Sequence, residues 1–243
     1  MIRLIVSDFD GTLVPYGTQR VSEETRRRLT EAIDRGVTLA VSSGRTYTEL
    51  AEQFPNVSEQ LWFICCDGAY AVKNGRVYYE RRIAADDLHL LEKHCTGGAS
   101  MILHGAVRNY AIGRIPEEGM RFAPETVSCA DEIKEKIFKV TTYGVRFRLP
   151  PYCGLRTHWD GGACEMAQFV NRFANKGTAL SDLQSRLMLT KFDTACLGDS
   201  GNDIAMMHNA KISVCVGERS EELKKVCTHH MATVEDALKM ILS

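Results

Sequence analysis

The chain opens on a short apolar run, Ile2 to Val6, that passes through Ser7 straight into Asp8-Phe9-Asp10-Gly11-Thr12-Leu13. A run of this length, ended at once by polar residues, reads as a buried strand. Parallel strands in α/β sheets present their carboxyl ends to a ligand crevice, so both acids would arrive there together. Paired carboxylates can share a divalent cation, and one of them can attack phosphorus. This segment narrows both the fold and the chemistry more than any other.

Strand and helix signals alternate on either side of a different middle. Ser22 reads as an N-cap with Glu23 and Glu24 in the first turn behind it, and Gly36 ends that helix. Val37 to Val41 is a second strand, Tyr47 to Gln53 a helix and Leu61 to Cys65 a third strand. Ala69–Val72 and Arg76–Tyr79 read as a hairpin around Asn74-Gly75. From about residue 83 to 170, helical segments (Ala85 to His94, Ala130 to Lys136) mix with short β-like runs such as Ser100–Leu103 and Phe138–Thr142. Alternation resumes with a helix opened by Lys176, a strand over Phe192–Leu197, a helix face starting at Ile204 and Met207, a strand over Ile212–Val216 and a closing helix over Val234–Leu242. The pattern predicts a doubly wound, Rossmann-like parallel-sheet α/β core from residues 1–82 and 171–243, interrupted by an inserted α+β domain over 83–170.

Composition excludes several classes. A net charge of -1 gives no electrostatic case for nucleic acid or an anionic membrane. Arg26-Arg27-Arg28 falls in a helical pattern that keeps Leu29 and Ile33 for its apolar face, so a solvated surface explains it. The nine cysteines include no Cys-x-x-Cys pair, and their odd number argues against a disulfide framework; reduced thiols are expected. The first apolar stretch is too short for a signal peptide, and no run reaches the roughly 20 apolar residues of a membrane span. The expected location is the cytoplasm, with no obligate protein partner.

Alone, Asp8-x-Asp10 is a weak signal, because acids are common in loops after strands. Three further constellations strengthen it. Ser42-Ser43-Gly44 follows the second strand and offers a hydroxyl and backbone N–H groups; Lys176-Gly177 opens a helix with a cation; Asp199 and Asp203 flank Ser200-Gly201-Asn202 after a later strand. Phosphoryl transfer needs such a set: an in-line nucleophile, cations and donors for three equatorial oxygens, and carboxylates for a metal.

Together, Asp8-Phe9-Asp10-Gly11-Thr12-Leu13, Ser43-Gly44-Arg45, Lys176-Gly177 and Gly198-Asp199-Ser200-Gly201-Asn202-Asp203 resemble the four motifs of the haloacid dehalogenase superfamily. The long insertion between the second and third motifs resembles its Cof-type branch, with a cap of the IIB kind. The resemblance implies a phosphatase with Asp8 as nucleophile through an aspartyl-phosphate and Asp10 as general acid/base. It implies Mg²⁺ held by Asp8, the Asp10 backbone carbonyl and Asp199, with Asp203 supporting the metal from behind. Thr12, Ser43, Gly44, Lys176 and Asn202 would bind phosphate, and Arg45 can reach substrate or form an ion pair elsewhere. The implied substrate is a small phosphorylated metabolite, a sugar or polyol phosphate, with selectivity in the cap, where Glu165 and Gln168 are candidate readers of substrate hydroxyls. A phosphomutase, or a phosphometabolite-binding module without catalysis, are the alternatives.

The chain departs from the branch at two loops. Cys66-Asp67-Gly68-Ala69 places an acid where relatives often carry Asn, and ordinary turn chemistry accounts for Asp67. Gly217-Glu218-Arg219 stands where relatives often carry Gly-Asn-Ala.

Overall fold

The computed structural model describes residues 1–95, 98–116, 123–145, 149–150, 153–160 and 166–243. Two compact units emerge, one of Met1–Tyr79 with Asn175–Ser243 and one of Glu80–Ala174.

In the first, the opening apolar run forms β1 (Leu4–Asp8), buried along its whole length. It is followed by α1 (Glu23–Asp34), β2 (Thr38–Ser42), α2 (Tyr47–Ala51), β3 (Trp62–Cys65), β4 (Tyr70–Lys73) and β5 (Arg76–Glu80). The second unit contains α3 (Ala85–His94), β6 (Ser100–His104), β7 (Asn109–Ile112), β8 (Glu125–Thr126), β9 (Lys139–Tyr143), β10 (Leu155–Asp160) and β11 (Met166–Asn171). The chain then adds α4 (Lys176–Leu187), β12 (Thr194–Gly198), α5 (Ile204–Met207), β13 (Ile212–Val216), α6 (Glu221–Val226), β14 (His229–Met231) and α7 (Val234–Leu242) to the first unit.

The eight-stranded sheet has the order β14-β13-β12-β1-β2-β3-β4-β5. Its β14-to-β3 stretch is parallel throughout, and β4 returns antiparallel to β3. Because β1 pairs with β12 on one side and β2 on the other, the strand order reverses beside it. That is the switch point at which doubly wound sheets bind ligands. Leu4 and Val6 from β1, Ala40, Ile64 and Cys196 from β2, β3 and β12, and Leu180 and Leu183 from α4 form one apolar cluster. Burying side chains of this size contributes ~1.5–3 kcal/mol each, which fixes the helix against the sheet.

The inserted unit is a six-stranded sheet, β10-β11-β9-β6-β7-β8, antiparallel apart from the β7–β8 pair. Alternation along its strands sends Met101, Leu103, Val140, Ala167 and Phe169 into a core with Leu91 of α3. Gln168 lies on β11, and Glu165 is outside the described residues.

Caps define several helix starts. The Ser22 side chain accepts from the Thr25 amide at 3.0 Å, and Asn175 accepts from the Thr178 amide at 2.8 Å, immediately before Lys176. Two expected elements change. The helix expected over Ala130–Lys136 is only a 3₁₀ turn at Ala130–Glu132, although Ala130, Ile133 and Ile137 pack on the core of the inserted unit. Phe192 sits in a 3₁₀ turn capped by Thr190, exposed, and the strand begins at Thr194. Among the described residues the cysteines are free, and no helix is long and apolar enough to cross a membrane.

Gly68 (φ +91°) stands where a Cβ would lie 2.5 Å from the Asn175 carbonyl carbon, so the turn after β3 and the start of α4 approach through bare backbone. Gly68→Ala is expected to lower stability by about 2–3 kcal/mol, combining left-handed strain with a backbone clash. Gly75→Ala, left-handed but with open space around it, should cost only about 1 kcal/mol. Urea denaturation midpoints of the two variants check the difference, and equal losses would contradict the close approach.

Candidate active site

Three segments bring charged side chains to the carboxyl ends of β1 and β12. Asp8 is the last residue of β1 and is 5% exposed. Lys176, the first residue of α4, is 1% exposed, and its Nζ donates to Asp8 Oδ1 at 2.5 Å and to Asp203 Oδ1 at 2.6 Å. Asp199 and Asp203 come from the turn after β12 and are both buried. The second Asp203 oxygen accepts from the backbone amides of Asp199 and Ser200, each at 3.1 Å, so this carboxylate holds the turn in shape.

Carboxylate oxygens of Asp8, Asp199 and Asp203 lie within 4.8 Å of one another, and Asp8 Oδ2 is buried with no hydrogen-bond partner. A buried acceptor without a donor is costly. Three carboxylates against one ammonium also leave a surplus of negative charge that a divalent cation would offset. Oxygen-only donors at this spacing suit a hard cation, so the residues present fit one.

The electrostatics follow from crowding. Burial raises the Asp8 carboxyl well above its ordinary range; Lys176 pulls it down, while Asp203 and Asp199 push it up. Burial likewise raises Asp199, opposed by a hydrogen bond from Tyr16. Burial alone would lower the Lys176 ammonium, but Asp203 and Asp8, with Asp67 further out, outweigh it and hold it above its usual value.

A model of the haloacid dehalogenase-like hydrolase family matches residues 5–238 of the sequence. The chain belongs to that family. It is 26% identical over 250 residues to the 5-amino-6-(5-phospho-D-ribitylamino)uracil phosphatase YcsE of Bacillus subtilis, covering 98% of this chain and 93% of that one. The structure of SMU.1108c from Streptococcus mutans UA159 superposes with a TM-score of 0.85 at 22% identity, covering 100% and 99% of the two chains. The subclass IIB sugar phosphatase BT4131 superposes with a TM-score of 0.79 at 20% identity and 98% coverage of each. The two superpositions show that this hydrolase shares the fold of those structures.

The other residues singled out from the sequence of this hydrolase fall around the acidic cluster in different ways. Thr12 is buried, and its Oγ1 donates to Asp199 Oδ1 at 3.5 Å. Asp10 turns its carboxylate to Arg45, which donates from Nε at 2.8 Å and also from Nη2. The Arg45 guanidinium lies over the Phe9 ring, 4.5 Å from its centroid, and its Nη1 is buried without a partner. Ser43 is buried, with its Oγ accepting from the Arg45 amide at 3.2 Å. Asn202 is exposed and accepts from Ser200 Oγ at 2.7 Å.

Asp67 stands in a left-handed run with Cys66 and Gly68 (φ 56°, 48° and 91°). The Cys66 and Asp67 amides donate to the carbonyls of Arg45 and Ser43 at 2.9 and 3.0 Å. Asp67 thereby lies beside Gly44, its carboxylate oxygens 3.2–3.3 Å from where a Cβ at that glycine would stand. Asp67 thus stands in a tight turn, as its place before Gly68 implies, with its carboxylate beside Gly44.

Sequence reasoning missed Tyr16, whose Oη donates to Asp199 Oδ2 at 2.9 Å. A tyrosine in a Gly- and Pro-containing loop carries no periodic or motif signal, so only the fold reveals its reach.

Lys176→Met would leave the buried Asp8 and Asp203 carboxylates without their common cation. Removing one partner of a buried ion pair costs ~3–5 kcal/mol. Urea denaturation in EDTA should show a loss of that order, and a change below ~0.5 kcal/mol would contradict the account of the cluster.

Proposed function

We propose that this haloacid dehalogenase-like hydrolase is a Mg²⁺-dependent phosphatase that works through an aspartyl-phosphate on Asp8. The observation that carries this reading is the Asp8 carboxylate, with one oxygen on Lys176 and the other buried and unpartnered among Asp199 and Asp203. Such a group has one oxygen for a metal and one for attack.

In this reading Asp8, Asp199 and the Asp10 backbone carbonyl hold Mg²⁺, which supplies charge compensation for the phosphoryl oxygens, and Asp203 supports them from its place on Lys176. Ser43, Gly44, Thr12 and Asn202 take phosphate oxygens by hydrogen bonding. Lys176 keeps its proton in the company of two carboxylates, so it remains a cation throughout the transfer. Asp8 attacks phosphorus, forming an Asp8 O–P bond as the ester P–O bond breaks, and Asp10 delivers a proton to the leaving oxygen. Asp10 then takes a proton from water, the water oxygen attacks phosphorus, and the Asp8 O–P bond breaks to release phosphate. Both Asp10 oxygens accept from Arg45 at rest, so one of those contacts opens when the proton moves.

The substrate in this reading is a small phosphorylated metabolite of the sugar or polyol phosphate class. The printed name of the B. subtilis relative, which describes a phosphate on a ribityl chain, supports it. The inserted unit carries selectivity for the leaving group, since the phosphate-end residues lie in the other unit.

Hydrolysis of 4-nitrophenyl phosphate should require Mg²⁺ and fall to background in Asp8→Asn; full activity in that variant, or indifference to EDTA, would overturn the mechanism. Asp10→Asn should lose roughly 10²–10⁴-fold on alkyl phosphates, whose alkoxide needs a proton. With 4-nitrophenyl phosphate the same variant should keep a first-turnover burst, because nitrophenolate leaves unprotonated. Equal losses on both esters, with no burst, would deny Asp10 its role as the acid.

A further inference from the structure

Asp199 is gripped from the side of the first loop by a residue outside the motif set. Tyr16 lies eight positions beyond Asp8, and its hydroxyl donates to Asp199 Oδ2 at 2.9 Å while Thr12 approaches Oδ1. The direction of the bond is settled. A phenol ordinarily keeps its proton until about pH 10, so at neutral pH the hydroxyl donates and the carboxylate accepts.

Two neighbours fix the tyrosine in place. Gly11 (φ +92°) leaves the gap through which it reaches, because a Cβ there would come within 2.6 Å of the Tyr16 ring and 2.5 Å of Asp199 Oδ2. On the ring face, the Arg219 guanidinium stands 4.3 Å from the centroid. This arginine belongs to Gly217-Glu218-Arg219, the loop that follows β13. A cation over an aromatic face attracts the ring and polarises the phenol towards donation.

We propose that Tyr16, braced by Arg219, is a positioning residue for Asp199 that sets the affinity of the acidic cluster for its divalent cation. The inference rests on the reading of Asp199 as a metal ligand. A hydrogen bond to one oxygen of a carboxylate fixes its rotation and leaves the other oxygen aimed at the cation. Without it, Asp199 must lose rotational freedom each time a metal binds. Partners of metal ligands of this kind are worth about 10–100-fold in affinity.

Calorimetric titration of Mg²⁺ into the substrate-free full chain tests the proposal without recourse to turnover. Tyr16→Phe, which deletes one oxygen from a residue that is 58% exposed, should weaken Mg²⁺ binding about tenfold and leave the melting temperature in EDTA unchanged. Arg219→Ala should weaken it in the same direction by a smaller factor, and Arg219→Lys, which keeps a cation over the ring, should restore most of that loss. Binding by Tyr16→Phe within twofold of the parent would overturn the proposal, as would an Arg219→Ala variant that binds more tightly. Asp199→Asn separates the two layers. If it no longer binds Mg²⁺ while Tyr16→Phe binds normally, the metal site stands and the role of Tyr16 falls. If it binds as the parent does, the metal assignment itself fails.

Discussion

The buried Lys176 ammonium, shared between Asp8 and Asp203, is the interaction on which the rest of the site depends. It joins the end of β1, the first turn of α4 and the turn after β12, with Asp8 and Lys176 alone 168 positions apart in the chain. Without a cation between them, buried acids at this spacing would repel and take up protons. With it, one oxygen of each acid is satisfied, and the remaining oxygens are left for other tasks. Asp203 spends its second oxygen on the backbone amides of Asp199 and Ser200, while the second oxygen of Asp8 has none. That asymmetry divides the labour: Asp203 builds the turn, and Asp8 is left open for chemistry.

The backbone is arranged to permit this. Gly68 brings the turn after β3 against Asn175, whose side chain caps the helix that carries Lys176. The preceding residues, Cys66 and Asp67, take left-handed conformations that cost an ordinary residue ~1–2 kcal/mol each. Their amides reach the carbonyls of Arg45 and Ser43 in return. The loop after β2 and the start of α4 are thereby tied to one turn, which fixes Ser43 and Gly44 relative to Lys176.

Much of this was legible in the sequence where a local signal coincided with a chemical one. The apolar run before Asp8, the Lys176-Gly177 helix start and the Gly198–Asp203 turn each combine a secondary-structure cue with a residue type that phosphoryl transfer needs. The parallel alternation around them gave the doubly wound sheet, and Ile212–Val216 and Val234–Leu242 form as their patterns imply. What stayed hidden depends on side-chain direction across the fold. Nothing local says that Asp10 turns to Arg45, that Tyr16 reaches Asp199 or that Asp67 lies beside Gly44. The short helix Glu221–Val226 and the strand His229–Met231 were also missed, because six and three residues hold too few apolar positions to show a period. Ala130–Lys136 misled in the other direction: its apolar residues do fall at helical spacing and do reach the core, yet only Ala130–Glu132 turns, as a 3₁₀ segment.

The phosphoryl group is proposed to pass through Asp8. Acid quench of the enzyme during steady-state turnover of a ³²P-labelled alkyl phosphate with Mg²⁺, followed by peptide mapping, tests it most directly. Label should appear on the peptide that carries Asp8 and be released by hydroxylamine, as an acyl phosphate is. An unlabelled protein during full turnover, or label on a serine or histidine peptide, would contradict it.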